Sequence, residues 1–126
     1  MSFSNTFETH VLNYVFNATS VTRPTSWFLA LFTAAPTDGS SGTEVTGGGY
    51  VRKPVALTVS GNTATNSAII EYPTATANYG TVVAVGVFDL VSSGTLIAYG
   101  SLSTNKTIET NDTLRVPASD ITITLD

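Results

Sequence analysis

Thr81-Val82-Val83-Ala84-Val85-Gly86-Val87-Phe88-Asp89 is the stretch that decides the fold class. It is short, nearly continuous in apolar residues and dominated by β-branched side chains. Such a run marks a central strand buried on both faces, because a strand with one wet face alternates instead. The last segment of the chain supplies that contrast. Ile121, Ile123 and Leu125 alternate with Thr122 and Thr124, so one face meets a core and the other meets water.

The same grammar extends from Ser26 onward, where β-branched and aromatic segments are separated by Gly, Asn, Asp, Ser and Pro. It predicts strands at Trp27 to Thr33, Val51 to Val59, Thr63 to Tyr72, Thr81 to Asp89 and Thr95 to Leu102. Three more follow at Thr107 to Thr110, Thr113 to Val116 and Thr122 to Leu125. Val59-Ser60-Gly61-Asn62-Thr63 reads as a tight hairpin, and Val91-Ser92-Ser93-Gly94-Thr95 as a longer one, since Gly and Asn tolerate positive φ. The fold class that follows is all-β, an antiparallel β-sandwich or barrel over residues 26–126.

One helix precedes it. Phe3, Phe7, Val11, Tyr14 and Val15 recur at helical spacing, and Asn5 with Glu8 three positions later has the form of a capping box. The spacing predicts a helix over 5–17, ended by the β-branched, Pro-containing run Thr19 to Thr25. Thr37 to Gly49 holds five of the ten glycines and is expected to be an exposed loop. With no internal repeat, heptad or linker, residues 1–126 are read as a single domain, long enough to bury about two-thirds of its unfolded surface.

The totals exclude several functions. The absence of cysteine rules out disulfides and thiolate metal sites. Only 11% of residues are charged, and the five basic ones, Arg23, Arg52, Lys53, Lys106 and Arg115, are scattered in a chain of net charge −4. That pattern offers no footprint for a phosphate backbone, so nucleic acid is not an expected partner. The start MSFSNTFETH lacks a secretion signal, and the apolar runs are too short to span a bilayer. No membrane partner is expected, and synthesis is expected in a host cytoplasm.

Catalysis requires titratable groups brought together, and few are present. His10 is the sole histidine and falls on the predicted helix, where packing is the simpler role. No G-x-S-x-G elbow occurs. Among the carboxylates, Glu71 and Asp89 are the pair most compatible with glycoside chemistry, since both lie in predicted strands; turn capping and solvation explain them as well. Gly47-Gly48-Gly49 lacks the Lys-Ser/Thr of a phosphate loop. Arg52 and Lys53, adjacent on a strand, point to opposite faces and suit intersubunit or capping roles. Asn17, Asn105 and Asn111 each open an N-x-T triplet, expected by chance in a chain so rich in Asn and Thr. Trp27, Phe28, Phe32, Tyr50, Tyr72, Tyr79 and Tyr99 could form a sugar-stacking platform, although core and rim positions account for them more simply. No catalytic residue, cofactor or metal ligand is assigned.

Leu29-Ala30-Leu31-Phe32-Thr33-Ala34-Ala35-Pro36-Thr37-Asp38-Gly39 and Gly42-Thr43-Glu44-Val45-Thr46-Gly47-Gly48-Gly49-Tyr50-Val51-Arg52 resemble a family of small tailed-phage structural proteins. The likeness continues through Ala75 to Val82, Gly86 to Asp89 and Leu96 to Leu102, covering about residues 25 to 125. Members are often labelled tail-fibre proteins, and similar small β-rich proteins serve as capsid decoration or cement proteins, so the resemblance implies a virion role.

A chain with no repetitive shaft or coiled coil suits a surface clamp better than a fibre. The leading expectation is therefore a non-enzymatic decoration protein on the capsid surface of the virion. It would be a homotrimer that binds the major capsid protein across subunit joints. Phe3, Phe7, Val11, Tyr50 and Arg52 are the candidate interface residues. The alternative is a tail-fibre or receptor-binding module whose loop Thr37 to Gly49 and exposed tyrosines contact a host glycan. A glycan-degrading enzyme using Glu71 is the third reading.

Overall fold

A computed structural model describes residues 1–125. The chain runs β1 (Ser2–Phe3), α1 (Asn5–Phe16), β2 (Phe28–Ala34), β3 (Thr43–Glu44), β4 (Lys53–Pro54), β5 (Leu57–Ser60) and β6 (Thr63–Asn66). It continues through β7 (Ile70–Glu71), β8 (Gly80–Phe88), β9 (Leu96–Ile108), β10 (Arg115–Val116) and β11 (Thr122–Thr124). The main sheet has the order β1-β9-β8-β2-β3, with β4 pairing the other end of the β2 edge that β3 occupies. A three-stranded sheet β11-β6-β5 and a two-stranded sheet β10-β7 complete the architecture, and every pairing is antiparallel.

The decisive segment behaves as its composition requires. β8 lies between β2 and β9, and Val82, Ala84, Val85, Gly86 and Val87 are buried. One face of β2 and β8 contributes Leu29, Leu31, Val85 and Val87 to the main core, where Ile70, Tyr72, Ile121 and Ile123 from the smaller sheets meet them. Their other face carries Ala30, Phe32 and Ala84, packed against Val83 and Phe88. Gly86 sits on this second face because a Cβ there would come within 2.9 Å of both Leu96 Cδ1 and Phe32 Cε2. The layering is that of a sandwich. It does not close into a barrel, since the free edges β1, β3 and β4 are two residues long and offer too little ladder to join the small sheets.

Several expected strands divide or fuse. Val51 to Val59 splits into β4 and β5, which belong to different sheets, after Pro54 deprives the ladder of a donor. Thr63 to Tyr72 splits into β6 and β7 at Asn66, which is 1% exposed. The Asn66 amide donates to the carbonyls of Ala68 (3.0 Å) and Pro117 (2.9 Å), and its Oδ1 accepts from the Ile121 amide (2.9 Å). The strands expected at 95–102 and 107–110 are one strand, β9, interrupted by a bulge in which residues 102–105 stand opposite Val83 alone. β1 and β3 were not expected; two-residue strands carry no readable period.

Both hairpins form as read. Ser60 pairs with Thr63 around Gly61-Asn62, with Gly61 at φ +60°. In the β8–β9 turn, the Asp89 carboxylate accepts the Thr95 amide at 2.7 Å. α1 forms where predicted, but the capping box does not. Ser4 is the N-cap, and its hydroxyl donates to the Leu96 carbonyl at 2.6 Å, tying the helix to β9 and making Asn5 the first helical residue. The segment 37–49 also departs from an exposed loop. Its tip is exposed, but Thr43–Glu44 pairs with β2 and Val45 is 3% exposed within the main core.

Candidate functional site

β3 and β4 occupy the two ends of one β2 edge and leave its middle without a strand partner. Side chains fill that gap. The Tyr72 hydroxyl donates to the Leu29 carbonyl at 2.7 Å, and the Leu31 amide donates to the Tyr50 hydroxyl at 3.0 Å. Tyr50 stacks on Tyr72 with ring centres 6.0 Å apart and meets Tyr79 edge-on at 5.8 Å. These tyrosines complete the edge of the sheet, as buried backbone groups demand partners. With Tyr72 at 1% and Tyr79 at 5% exposure, no tyrosine platform faces outward here.

Tyr50 leads into an ionic cluster. Its hydroxyl donates to Glu44 Oε2 at 2.7 Å, and Arg52 forks onto the same carboxylate through Nε and Nη2, each at 2.8 Å. The remaining Arg52 nitrogen, Nη1, donates to the carbonyls of Leu90 (3.0 Å) and Ser93 (2.6 Å), and the guanidinium lies over the Phe88 ring. Burial alone would raise the Glu44 carboxyl, but hydrogen bonds from Arg52 and Tyr50 outweigh it and hold the group below its ordinary value. Burial, reinforced by the proton's engagement with Glu44, pushes the Tyr50 hydroxyl far up. Every charged or polar tip in this cluster is committed to an internal partner, so the cluster braces the β3–β4 region against the β8–β9 turn. An open cleft of about 530 Å³ beside it is bordered by Thr46, Val51 and Val91.

The residues considered for catalysis are not brought together. Glu71 pairs with Arg115 across β7 and β10 at 2.9 Å, in the open, while Asp89 caps the β8–β9 turn. His10 packs on Phe7 with ring centres 5.0 Å apart, and its Nδ1 is buried without a hydrogen-bond partner. Among the described residues no group of three or more His, Cys, Asp or Glu could hold a metal ion. Nor, among the described residues, is any helix long and apolar enough to cross a membrane.

The candidate interface residues fall in two places. Phe3, Phe7 and Val11 are half-buried, and Phe3 and Phe7 pack against the main core from the side of β1 and α1. Tyr50 is half-buried and Arg52 is 8% exposed, both turned inward as described. What sequence reasoning passed over is the outer side of α1. Leu12, Tyr14, Val15 and Phe16 are 57, 71, 59 and 78% exposed. The run Leu12-Asn13-Tyr14-Val15-Phe16, apolar on more than one helical face, was the available signal.

Large apolar side chains thus stand in water at the end of α1. The family model described as Podophage GP4 fiber I protein gp80 matches residues 2–124. The chain belongs to this family. It is thus a tailed-phage structural protein, as the resemblance of residues 25–125 implied, and the match adds the N-terminal segment with β1 and α1 to the family's common part. No curated protein matches the sequence. The internal commitment of Glu44, Tyr50 and Arg52 makes this part of the family fold rigid.

Proposed function

We propose that this chain is a building block of a phage fibre, holding its place in the particle by packing against protein neighbours and carrying out no chemistry itself. The fiber I family match over residues 2–124 carries this reading. Two features support it. The polar groups that could act on a substrate are engaged internally or in local pairs, as with Glu44, Arg52, Glu71 and Asp89. The exposed groups with the most binding free energy to offer are apolar, foremost the end of α1.

A second reading is decoration of the capsid shell, with contacts to the major capsid protein. It draws on the lack of any repeated shaft or heptad coil in these residues. Cryo-electron microscopy of the particle separates the two. Density for this fold in a fibre attached to the tail or neck selects the first, and density across capsid subunit joints selects the second. Absence from assembled particles overturns both. The non-enzymatic character is tested by incubating the purified protein with host-surface glycans, where turnover abolished by Glu71→Gln would reverse it.

A further inference from the structure

A hollow of about 360 Å³ opens between the main sheet and the chain around β10 and β11. Its floor is Leu29, Leu31, Val85 and Ile121, all members of the main core, and Leu114 and Val116 stand at its side. Interiors pack densely, so a hollow that reaches the core needs a structural cause. The bulge in β9 supplies one. Val82 pairs with Lys106 and Ala84 with Ser101, so residues 102–105 leave the ladder opposite Val83 alone, and Leu102, Ser103 and Thr104 line the hollow from there. An ordinary bulge sets two residues against one, and this excursion sets four.

We propose that this hollow binds a small aliphatic anion, a short hydrocarbon chain ending in a carboxylate. Three features of the lining select that chemistry. It has no aromatic side chain, so it lacks the flat ring on which a sugar or a nucleobase stacks. Its floor is wholly aliphatic, which suits a hydrocarbon chain, and its volume lies at the small end of the roughly 300–1,000 Å³ of ligand sites.

The third feature is charge at the rim. The exposed side chains of Lys106 and Arg115 lie on the lining against one carboxylate, Asp120, an excess of one positive charge in a chain of net charge −4. Among the described residues Lys106 makes no ion pair, and Arg115 reaches Glu71 through Nε, which leaves its two terminal nitrogens for a further acceptor. Ser103 and Thr104 add hydroxyl donors on the same lining. The last described residue, Leu125, lies against Asn62 at the end of β11 away from Thr122, which borders the hollow. Binding here does not depend on whether the particle carries the protein on a fibre or on the shell.

Titration of the whole protein at neutral pH with octanoate, octan-1-ol and octylammonium, followed by amide NMR shifts, tests the assignment. Octanoate, kept below the concentration at which it forms micelles, should move the amides of Leu31, Val85, Leu102 and Ile121 saturably. Octanol should bind more weakly and octylammonium most weakly. Equal affinity for the three, shifts centred elsewhere on the molecule, or no saturable shifts with octanoate overturns the proposal. Lys106→Gln should weaken octanoate binding about threefold, the effect of one exposed ionic contact, and leave octanol unchanged. The same loss for both ligands, or none for either, refutes recognition of the anion. Leu102→Trp and, as a second variant at an exposed position, Ser103→Trp bring an indole over the hollow from the bulge and should remove octanoate binding. Binding undiminished in either folded variant overturns the site.

Discussion

Arg52 and Glu44 form a two-pronged ion pair, with both prongs 2.8 Å long, that joins the last residue of β3 to the residue before β4. The arginine is 8% exposed and the glutamate 25%, and the guanidinium covers the Phe88 ring with its Cζ 3.6 Å from the ring centre. A pair of this depth contributes little compared with well-packed apolar residues, but breaking it leaves a buried charge alone.

Glu44→Ala should therefore destabilise the protein by about 3 kcal/mol or more. Urea unfolding followed by the fluorescence of Trp27, the single tryptophan, reads the change directly. Arg52→Lys should fall between the two, because lysine keeps the charge but loses the fork and the flat contact with Phe88. Equal stability for all three proteins would show that the pair does not brace the fold.

The same carboxylate makes stability depend on acid. Its folded value lies below the ordinary 4.5, so below about pH 4.5 the unfolded chain takes up a proton that the folded chain refuses. The stabilisation is complete above that pH and disappears as pH falls through the folded value. Glu44→Gln should start less stable at neutral pH and show a shallower decline below pH 4.5. Parallel acid limbs for the two proteins would assign the decline to other carboxylates.

Asn66, 1% exposed, joins β6 to the chain before β11 through two side-chain hydrogen bonds of 2.9 Å, to Pro117 and Ile121, and makes a third of 3.0 Å to Ala68. Asn66→Ala takes the side-chain partner from the Ala68 carbonyl and the Ile121 amide, while the Pro117 carbonyl keeps the Asp120 amide at 3.3 Å, and it should reduce stability by about 3 kcal/mol. Hydrogen exchange should show the amide of Ile121 losing protection first. Protection lost uniformly across the chain would mean that the residue governs global stability only.

Gly47 and Gly48 separate two ways in which a glycine is required. Both have positive φ, at +77° and +62°, but a Cβ on Gly47 meets nothing within 4 Å, whereas one on Gly48 comes within 2.6 Å of the Ala77 carbonyl oxygen. Gly47→Ala should cost only the left-handed strain of about 1 kcal/mol. Gly48→Ala should cost at least twice that and disturb the Tyr79 ring, which lies 3.0 Å from the added carbon. Equal thermal shifts would remove the backbone clash as the cause.

Part of the site could be read from residues in order. Gly61-Asn62 and Ser93-Gly94 announced their turns because turn chemistry is local. Tyr50 and Arg52 drew attention as an aromatic and a cation beside a glycine run, yet their neighbours in sequence point away from their partners in space. Glu44 is eight positions from Arg52, with three glycines between. Nothing in a strand or helix period brings those two together. The division of 63–72 at Asn66 was hidden for the same reason, since an asparagine at a strand end reads as a solvated turn until Pro117 and Ile121 close over it.

The sequence by itself determined the all-β antiparallel class, the position of α1, the buried centre at β8 and the poverty of catalytic groups. These depend on periodicity and composition, which act over a few residues at a time. Only the tertiary structure decided that the sandwich stays open and that Tyr50 and Arg52 face inward. It also decided which side of α1 is left in water. Each of these depends on long-range pairing, where a two-residue strand or a single hydroxyl satisfies a backbone group far along the chain, and such pairings leave no pattern in the order of the residues.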